Sequence, residues 1–195
     1  MSEKEQIVQA QTRGLEGRLL KTVVMVGMMG AGKTAVGRAL AARLNAPFLD
    51  SDAEIETAAN MTIPEIFARD GEAFFRDKEA QVISRLLDTA SGVLSTGGGA
   101  FLQSANRQAI SDRGVSVWLN ADLDVLWSRV KHKDTRPLLR TPDPRATLAE
   151  LYHARVPVYA EADLTVLSDG QSSIPQMVDR VVEALRSRPD VLEVL

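Results

Sequence analysis

The chain contains no cysteine, which excludes a disulfide framework and thiolate metal ligation. With only two histidines, His132 and His153, a nitrogen-rich metal site is poorly supported, so any metal is expected to be bound through oxygen. An excess of basic residues is also missing. The 23 Lys and Arg face 26 Asp and Glu, for a net charge of -3 and an isoelectric point near 5.5. That balance argues against a nucleic-acid partner, whose phosphates call for clustered positive charge, and leaves an acidic small molecule open. There is no long hydrophobic run. The longest apolar stretch, TVVMVGMMGAGK, closes at Lys33, well short of the ~20 residues a membrane-spanning helix needs. Residues 1–21 interleave Glu3, Lys4, Glu5, Arg13, Glu16, Arg18 and Lys21 with few apolar residues, which is not the pattern of a signal peptide. The expectation is a cytoplasmic protein that binds no membrane and carries a polar extension over residues 1–20.

What is present is the material of an ordinary domain. Across 195 residues, 45% are hydrophobic and 25% charged, enough for one sizeable core. Four short β-branched runs read as buried strands of a parallel sheet: Thr22 to Val26, Val93 to Ser95, Val115 to Leu119 and Leu164 to Leu167. A weaker fifth, Pro47 to Leu49, follows an amphipathic segment with Val36, Leu40 and Leu44 on one side. Thr62 and Glu65 have capping-box spacing and open a short helix through Phe67, and a second helix is expected from about Glu72 to Leu87. Near the C-terminus, Ile174, Met177, Val178, Val181, Val182 and Leu185 make a helical stripe behind Ser172 and Ser173. Strands alternating with helices indicate an open α/β sheet with right-handed crossovers. From Lys131 to Pro144 the pattern stops in a polar, proline-punctuated loop.

Directly after the first strand, Gly27-Met28-Met29-Gly30-Ala31-Gly32-Lys33-Thr34 fits G-x-x-x-x-G-K-S/T and runs into a helix. Glycines let backbone N–H groups turn inward around a phosphate, and the helix N-terminus adds an effective charge of about +0.5. Lys33 would reach the β and γ phosphates and the Thr34 hydroxyl would ligate Mg²⁺. Such a loop serves ATPases, GTPases and kinases alike. No Asn-Lys-x-Asp guanine signature is present, so ATP is the better nucleotide.

Four further patterns lie downstream. Asp50 and Asp52 stand two apart where the second strand ends, at the edge where open α/β sheets bind ligands. Asp50 would hold Mg²⁺ through water and Asp52 would accept or orient a substrate hydroxyl, or the pair forms a solvated Asx turn or a helix cap. Arg76 and Glu79 share a helical face beside Phe75, with Phe67 on the preceding helix; they make either an oriented anion site or a surface ion pair over core phenylalanines. Gly97-Gly98-Gly99 lets backbone approach a ligand or simply makes a flexible turn. Arg136 sits in the loop, closing over phosphates or solvated, and Arg155 shares a face with Leu148, Leu151 and Tyr152 that Pro157 then interrupts, so it points inward or caps the helix end.

Taken in order, GMMGAGKT, FLDSD with Ile55 and Glu56, IFARDGEAFFRDKE, STGGG, RPLL and RVPVY resemble the shikimate kinase family. The resemblance covers roughly residues 21–187 as one kinase domain, with 188–195 as a C-terminal tail. It implies a phosphate-loop fold like that of the nucleoside monophosphate kinases. The sheet would have five parallel strands in order 2-3-1-4-5 flanked by helices, a substrate-binding region about 50–80 and a lid about 130–145. It implies ATP-dependent phosphorylation of the shikimate 3-hydroxyl on the route to chorismate and the aromatic amino acids. On this pattern Asp52, Arg76, Gly98 and Arg155 hold shikimate, flanked by Gly97 and Gly99, with both arginines on its carboxylate. Glu79 orients Arg76, and Phe67 and Phe75 lie near the ring. Lys33 and Arg136 surround the transferred phosphate, Thr34 and Asp50 form the Mg²⁺ site, and Arg129 lies on the nucleotide side. A monomer is expected. The rival readings are a kinase of the same fold acting on gluconate or a nucleoside monophosphate, which the carboxylate-pairing arginines disfavour, and a nucleotide-dependent regulatory module.

Overall fold

Val23, Val24, Met25, Val93, Leu94, Val115 and Val117 are wholly inaccessible to solvent, as strands covered on both faces require. They belong to the central sheet of the protein, whose computed structural model describes residues 17–89, 91–132 and 137–195. The strands are β1 (Arg18–Leu19), β2 (Thr22–Val26), β3 (Phe48–Asp50), β4 (Val93–Ser95), β5 (Gly114–Ala121), β6 (Leu164–Ser168) and β7 (Leu192–Glu193). Five of them form one parallel sheet in the order β3-β4-β2-β5-β6. Counted among the five alone, this is the order 2-3-1-4-5.

The helices are α1 (Lys33–Arg43), α2 (Ser51–Ala59), α3 (Ile63–Leu87), α4 (Ser104–Arg113), α5 (Leu123–Val130), α6 (Pro144–Tyr159) and α7 (Ile174–Leu185). Helix α1 packs on α7 and on the sheet through Val36, Leu40 and Ala41. Helix α7 buries Met177, Val178, Val181, Val182 and Leu185, while Ile174 at its first turn stays 45% exposed. Its N-cap is Ser173, in a reciprocal capping box with Gln176. Helix α3 begins with the expected box, Glu65 N–H donating to Thr62 Oγ1 at 3.3 Å and Thr62 N–H to Glu65 Oε2 at 3.2 Å. The two helices expected there are present within α3 and meet at Gly71, whose φ of 84° and ψ of 171° are not helical and kink the run.

Two local expectations are corrected. Pro157 does not interrupt α6, which continues to Tyr159. A proline in the last turn removes one N–H donor, and the turn is closed after it by Ala160 N–H to Val156 O at 2.9 Å. The packed body also extends beyond residues 21 and 187. β1 and β7 pair antiparallel, Leu20 N–H donates to Val191 O at 2.7 Å, and Val191 and Leu192 are 0% and 1% exposed. Ion pairs Arg18–Glu193 and Lys21–Asp190 decorate this clasp from the solvent side, where such pairs contribute little; the buried leucines and valine hold it. Among the described residues, no helix is long and apolar enough to cross a membrane.

The clasp generates a stability prediction. Leu192→Ala should lower unfolding free energy by about 2 to 5 kcal/mol, the usual cost of emptying a fully buried leucine site. Urea titration of both proteins measures this, and a loss below about 0.5 kcal/mol would show that residues 188–193 merely rest on the body.

Candidate active site

The parallel strands deliver the functional residues to one edge of the sheet. After β2 the chain turns through Gly30 (φ 82°) and Gly32 (φ 93°), conformations a side chain disfavours, and enters α1 at Lys33. Met28 and Met29 are 2% and 7% exposed, so their side chains belong to the core and only their backbone is offered to a ligand. The Lys33 ammonium donates to Gly27 O at 2.8 Å and Met28 O at 2.9 Å, folded over its own loop. From α5, Arg129 Nη1 donates to Gly30 O at 2.9 Å, and its Nη2 lies 3.5 Å from Ser168 Oγ at the end of β6. Arg129 thus ties the phosphate loop to the end of β6.

Beside the loop, the register aligns Asp50 with Ser95 and Ser95 with Met25, so three strand ends meet in a row. Thr34 Oγ1 is 3.3 Å from Ser95 Oγ. Asp50 is the N-cap of α2, accepting from the N–H groups of Asp52 at 2.9 Å and Ala53 at 3.1 Å through Oδ1. The helix-cap alternative is therefore realised at Asp50, and it aims Asp52 across the sheet edge.

What Asp52 meets is the turn 97–99. A Cβ on Gly97 would stand 2.8 Å from Asp52 Oδ1, one on Gly98 3.2 Å from Arg155 Nη1, and one on Gly99 2.7 Å from Arg76 Nη1. An alanine at 97 or 99 would displace a charged group and one at 98 would crowd Arg155, a reason for three consecutive glycines that a turn alone would not supply. The structure therefore brings Asp52, Arg76 and Arg155 together against one side-chain-free surface, and Arg155 points inward.

Arg76 is held from below. Its Nη1 donates to Glu79 Oε1 at 2.8 Å, and Glu79 is 1% exposed, so this is a buried pair and not a surface one. The Phe75 ring lies 5.1 Å beneath the guanidinium and packs on Phe67 with centroids 4.8 Å apart. Glu72 approaches the outer side of Arg76 at 3.5 Å. Burial pushes Glu79 up from the ordinary carboxylate range, while Arg76 draws it back down.

Asp52 is the most perturbed carboxylate of the site. Loss of solvent raises its pKa first and the neighbouring Asp50 charge second; Lys33 and Arg76 oppose them, and the result is about 6. Lys33 and Asp52 thus feel one another, which places the carboxylate within the field of the phosphate loop. Reading by sequence did not single out Tyr159, buried and bonded to the glycine turn, or Ser95; both lie inside quoted motifs, STGGG and RVPVY, and that was their only signal. Arg136 lies outside the described residues.

The Asp52 shift has a sign that can be tested. Because its carboxyl holds the proton more tightly folded than unfolded, its contribution to stability is complete below its ordinary value of 3.8 and is lost as pH rises through about 6. Asp52→Asn should therefore gain melting temperature over the native protein as pH goes from 4 to 7.5, in spite of any loss of activity. A difference that stays constant across that range would contradict the burial of this charge.

Comparison with known proteins is consistent with this geometry. The family model described as shikimate kinase matches residues 29–186. A shikimate kinase of Ruegeria pomeroyi is 77% identical over 175 residues, 90% of each chain. One from Cereibacter sphaeroides is 68% identical over 181 residues, 93% of this chain and 90% of the relative. The solved structure of shikimate kinase from Acinetobacter baumannii in complex with shikimate superposes with a TM-score of 0.80 at 38% identity, covering 86% of this chain and 93% of that one. With a phosphate loop, an aspartate and two arginines gathered at one sheet edge, and relatives matched over nearly their whole length, this chain belongs to the shikimate kinase family.

Proposed function

We propose that the protein transfers the γ-phosphoryl group of ATP to the 3-hydroxyl of shikimate, giving ADP and shikimate 3-phosphate. The observation that supports this most is the glycine turn 97–99 with Asp52, Arg76 and Arg155 pressed against it. One carboxylate and two guanidinium groups beside a phosphate loop suit an acceptor carrying both hydroxyls and a carboxylate. Gluconate offers the same classes of group, but on a flexible open chain, whereas a rigid carboxylated ring suits fixed groups gathered on one turn.

The transfer forms a bond from the acceptor oxygen to the γ-phosphorus and breaks the bridge to the β-phosphate. Little covalent work falls to the protein, so positioning and charge neutralisation dominate. Arg76 and Arg155 hold the carboxylate, the first kept in orientation by Glu79. Asp52 receives the hydroxyl hydrogen bond and takes its proton as the oxygen bonds to phosphorus. With its pKa pushed up to about 6, it is ionised in most molecules at pH 7 and basic enough for that role. Lys33 leaves the carbonyls of Gly27 and Met28 for the phosphates, and the loop amides and the N-terminus of α1 meet the remaining charge. Arg136 is assigned to the transferred phosphate, and the lid to residues about 130–145, on the family motif alone. Arg129 is assigned to the nucleotide side.

The oxygen donors at the strand ends fit a hard cation. Thr34 Oγ1, beside Ser95 Oγ, and the Asp50 carboxylate in the neighbouring register position would hold Mg²⁺, the aspartate through water. So few protein ligands leave coordination positions for phosphate oxygens and water, as Mg²⁺ prefers. Bound there, the ion would offset charge on the β and γ phosphates. The reading takes the enzyme to be a cytoplasmic monomer acting on small molecules, with no nucleic-acid or membrane partner.

Calorimetric titration with shikimate tests the carboxylate assignment. Arg76→Ala and Arg155→Ala should each weaken binding by more than about tenfold, since a buried, hydrogen-bonded charge pair is lost. Native affinity in both variants would overturn the acceptor side of the proposal while leaving the phosphate loop intact.

A further inference from the structure

Tyr159 has no solvent exposure, yet it carries a hydroxyl into the site. It ends α6 one turn after Arg155, so both side chains lie on the same helical face. Its ring is stacked between Trp118 and Phe101, at 6.3 Å and 6.4 Å, and Trp118 in turn lines the space beside Gly27 of the phosphate loop. The hydroxyl donates to Gly98 O at 2.5 Å, and the Arg155 guanidinium stands beside it: a Cβ on Gly98 would lie 3.2 Å from Arg155 Nη1 and 3.9 Å from the Tyr159 hydroxyl.

The direction of this chain is forced by its members. A carbonyl only accepts, a guanidinium only donates, and a phenol has a single proton. With that proton given to Gly98, the Tyr159 oxygen is left as an acceptor facing Arg155. One hydroxyl therefore fixes both the arginine and the middle residue of the turn on which Asp52 and Arg76 also rest. The donors of Arg155 that do not face Tyr159 are left for an anionic ligand. Desolvation holds the phenol in its neutral form, pushed up from its ordinary pKa, so the proton that sets the direction stays in place.

From this geometry we infer that Tyr159 is a positioning residue for carboxylate recognition, acting through Arg155 and the Gly98 carbonyl and not by touching the substrate. The inference rests on the proposed shikimate reading of the site. Tyr159→Phe keeps the buried ring and removes only the oxygen, leaving one arginine donor and one carbonyl unmatched. The expected signature is a shikimate KM raised about tenfold, with kcat and the ATP KM within about twofold of native and the melting temperature within a few degrees. Shikimate carboxamide should be discriminated against less strongly by the variant than by the native enzyme. In an Arg155→Ala background the same substitution should add less than about twofold, because the group it positions is gone.

Steady-state kinetics on the four proteins of this cycle decide the matter. A native shikimate KM in Tyr159→Phe, a parallel loss in ATP and shikimate parameters, or an undiminished effect without Arg155 would each overturn the positioning role. If Arg155→Ala itself left the shikimate KM unchanged, or native turnover were independent of shikimate, the site reading would fall and this inference with it. A raised KM in Arg155→Ala beside normal behaviour in Tyr159→Phe would remove this inference alone.

Discussion

A turn without side chains allows three charged groups to occupy one small volume. At residues 97–99, Asp52 and Arg76 stand too close for a Cβ on Gly97 or Gly99 and Arg155 packs tightly against Gly98, and the other features of the acceptor side follow from that close approach. The cap at Asp50 aims Asp52, the continuation of α6 past Pro157 sets Tyr159 on the face of Arg155, and the buried Glu79 aims Arg76. The phosphate loop sits at the next strand end in register, so donor and acceptor are set by the same sheet.

This arrangement is held against unfavourable electrostatics. Glu79 is shut off from water and Asp52 is half-buried, and the loss of solvent pushes each toward its neutral form. Replacing one partner of a buried pair by a neutral group leaves the other uncompensated, so these residues are better understood as specifying orientation than as sources of stability. Stability comes from elsewhere: the solvent-free faces of β2, β4 and β5, the stripe on α7, and the clasp of β1 on β7. The positions that bind and the positions that hold the fold together are largely separate sets.

Much of this was legible in the amino-acid sequence, for reasons that differ by element. Four of the five sheet strands announced themselves as short β-branched runs and the fifth, Phe48–Asp50, only weakly, while the kink in α3 was legible as two expected helices, one through Phe67 and one from about Glu72. The glycine-rich loop, with Lys33 and Thr34, has a spacing that chemistry explains. The clasp was hidden because two-residue strands have no period, and their burial depends on a partner some 170 residues away. Pro157 misled because its local preference is real, but one missing donor in a final turn is easily outweighed by packing. That error concealed Tyr159, whose place on the Arg155 face exists only if the helix continues. For Arg76 and Glu79, spacing could not distinguish a surface pair from a buried one; only the tertiary cover over Glu79 does so.

The claim that joins donor loop and acceptor turn is that phosphoryl transfer depends on one particular acceptor. It is tested most directly by measuring ADP release from Mg·ATP with shikimate, gluconate, AMP or no acceptor present. Release that requires shikimate, with the others near the acceptor-free rate, is the expected result. Release supported equally by gluconate or AMP would contradict the acceptor assignment, and slow release indifferent to any acceptor would contradict the kinase reading of the site.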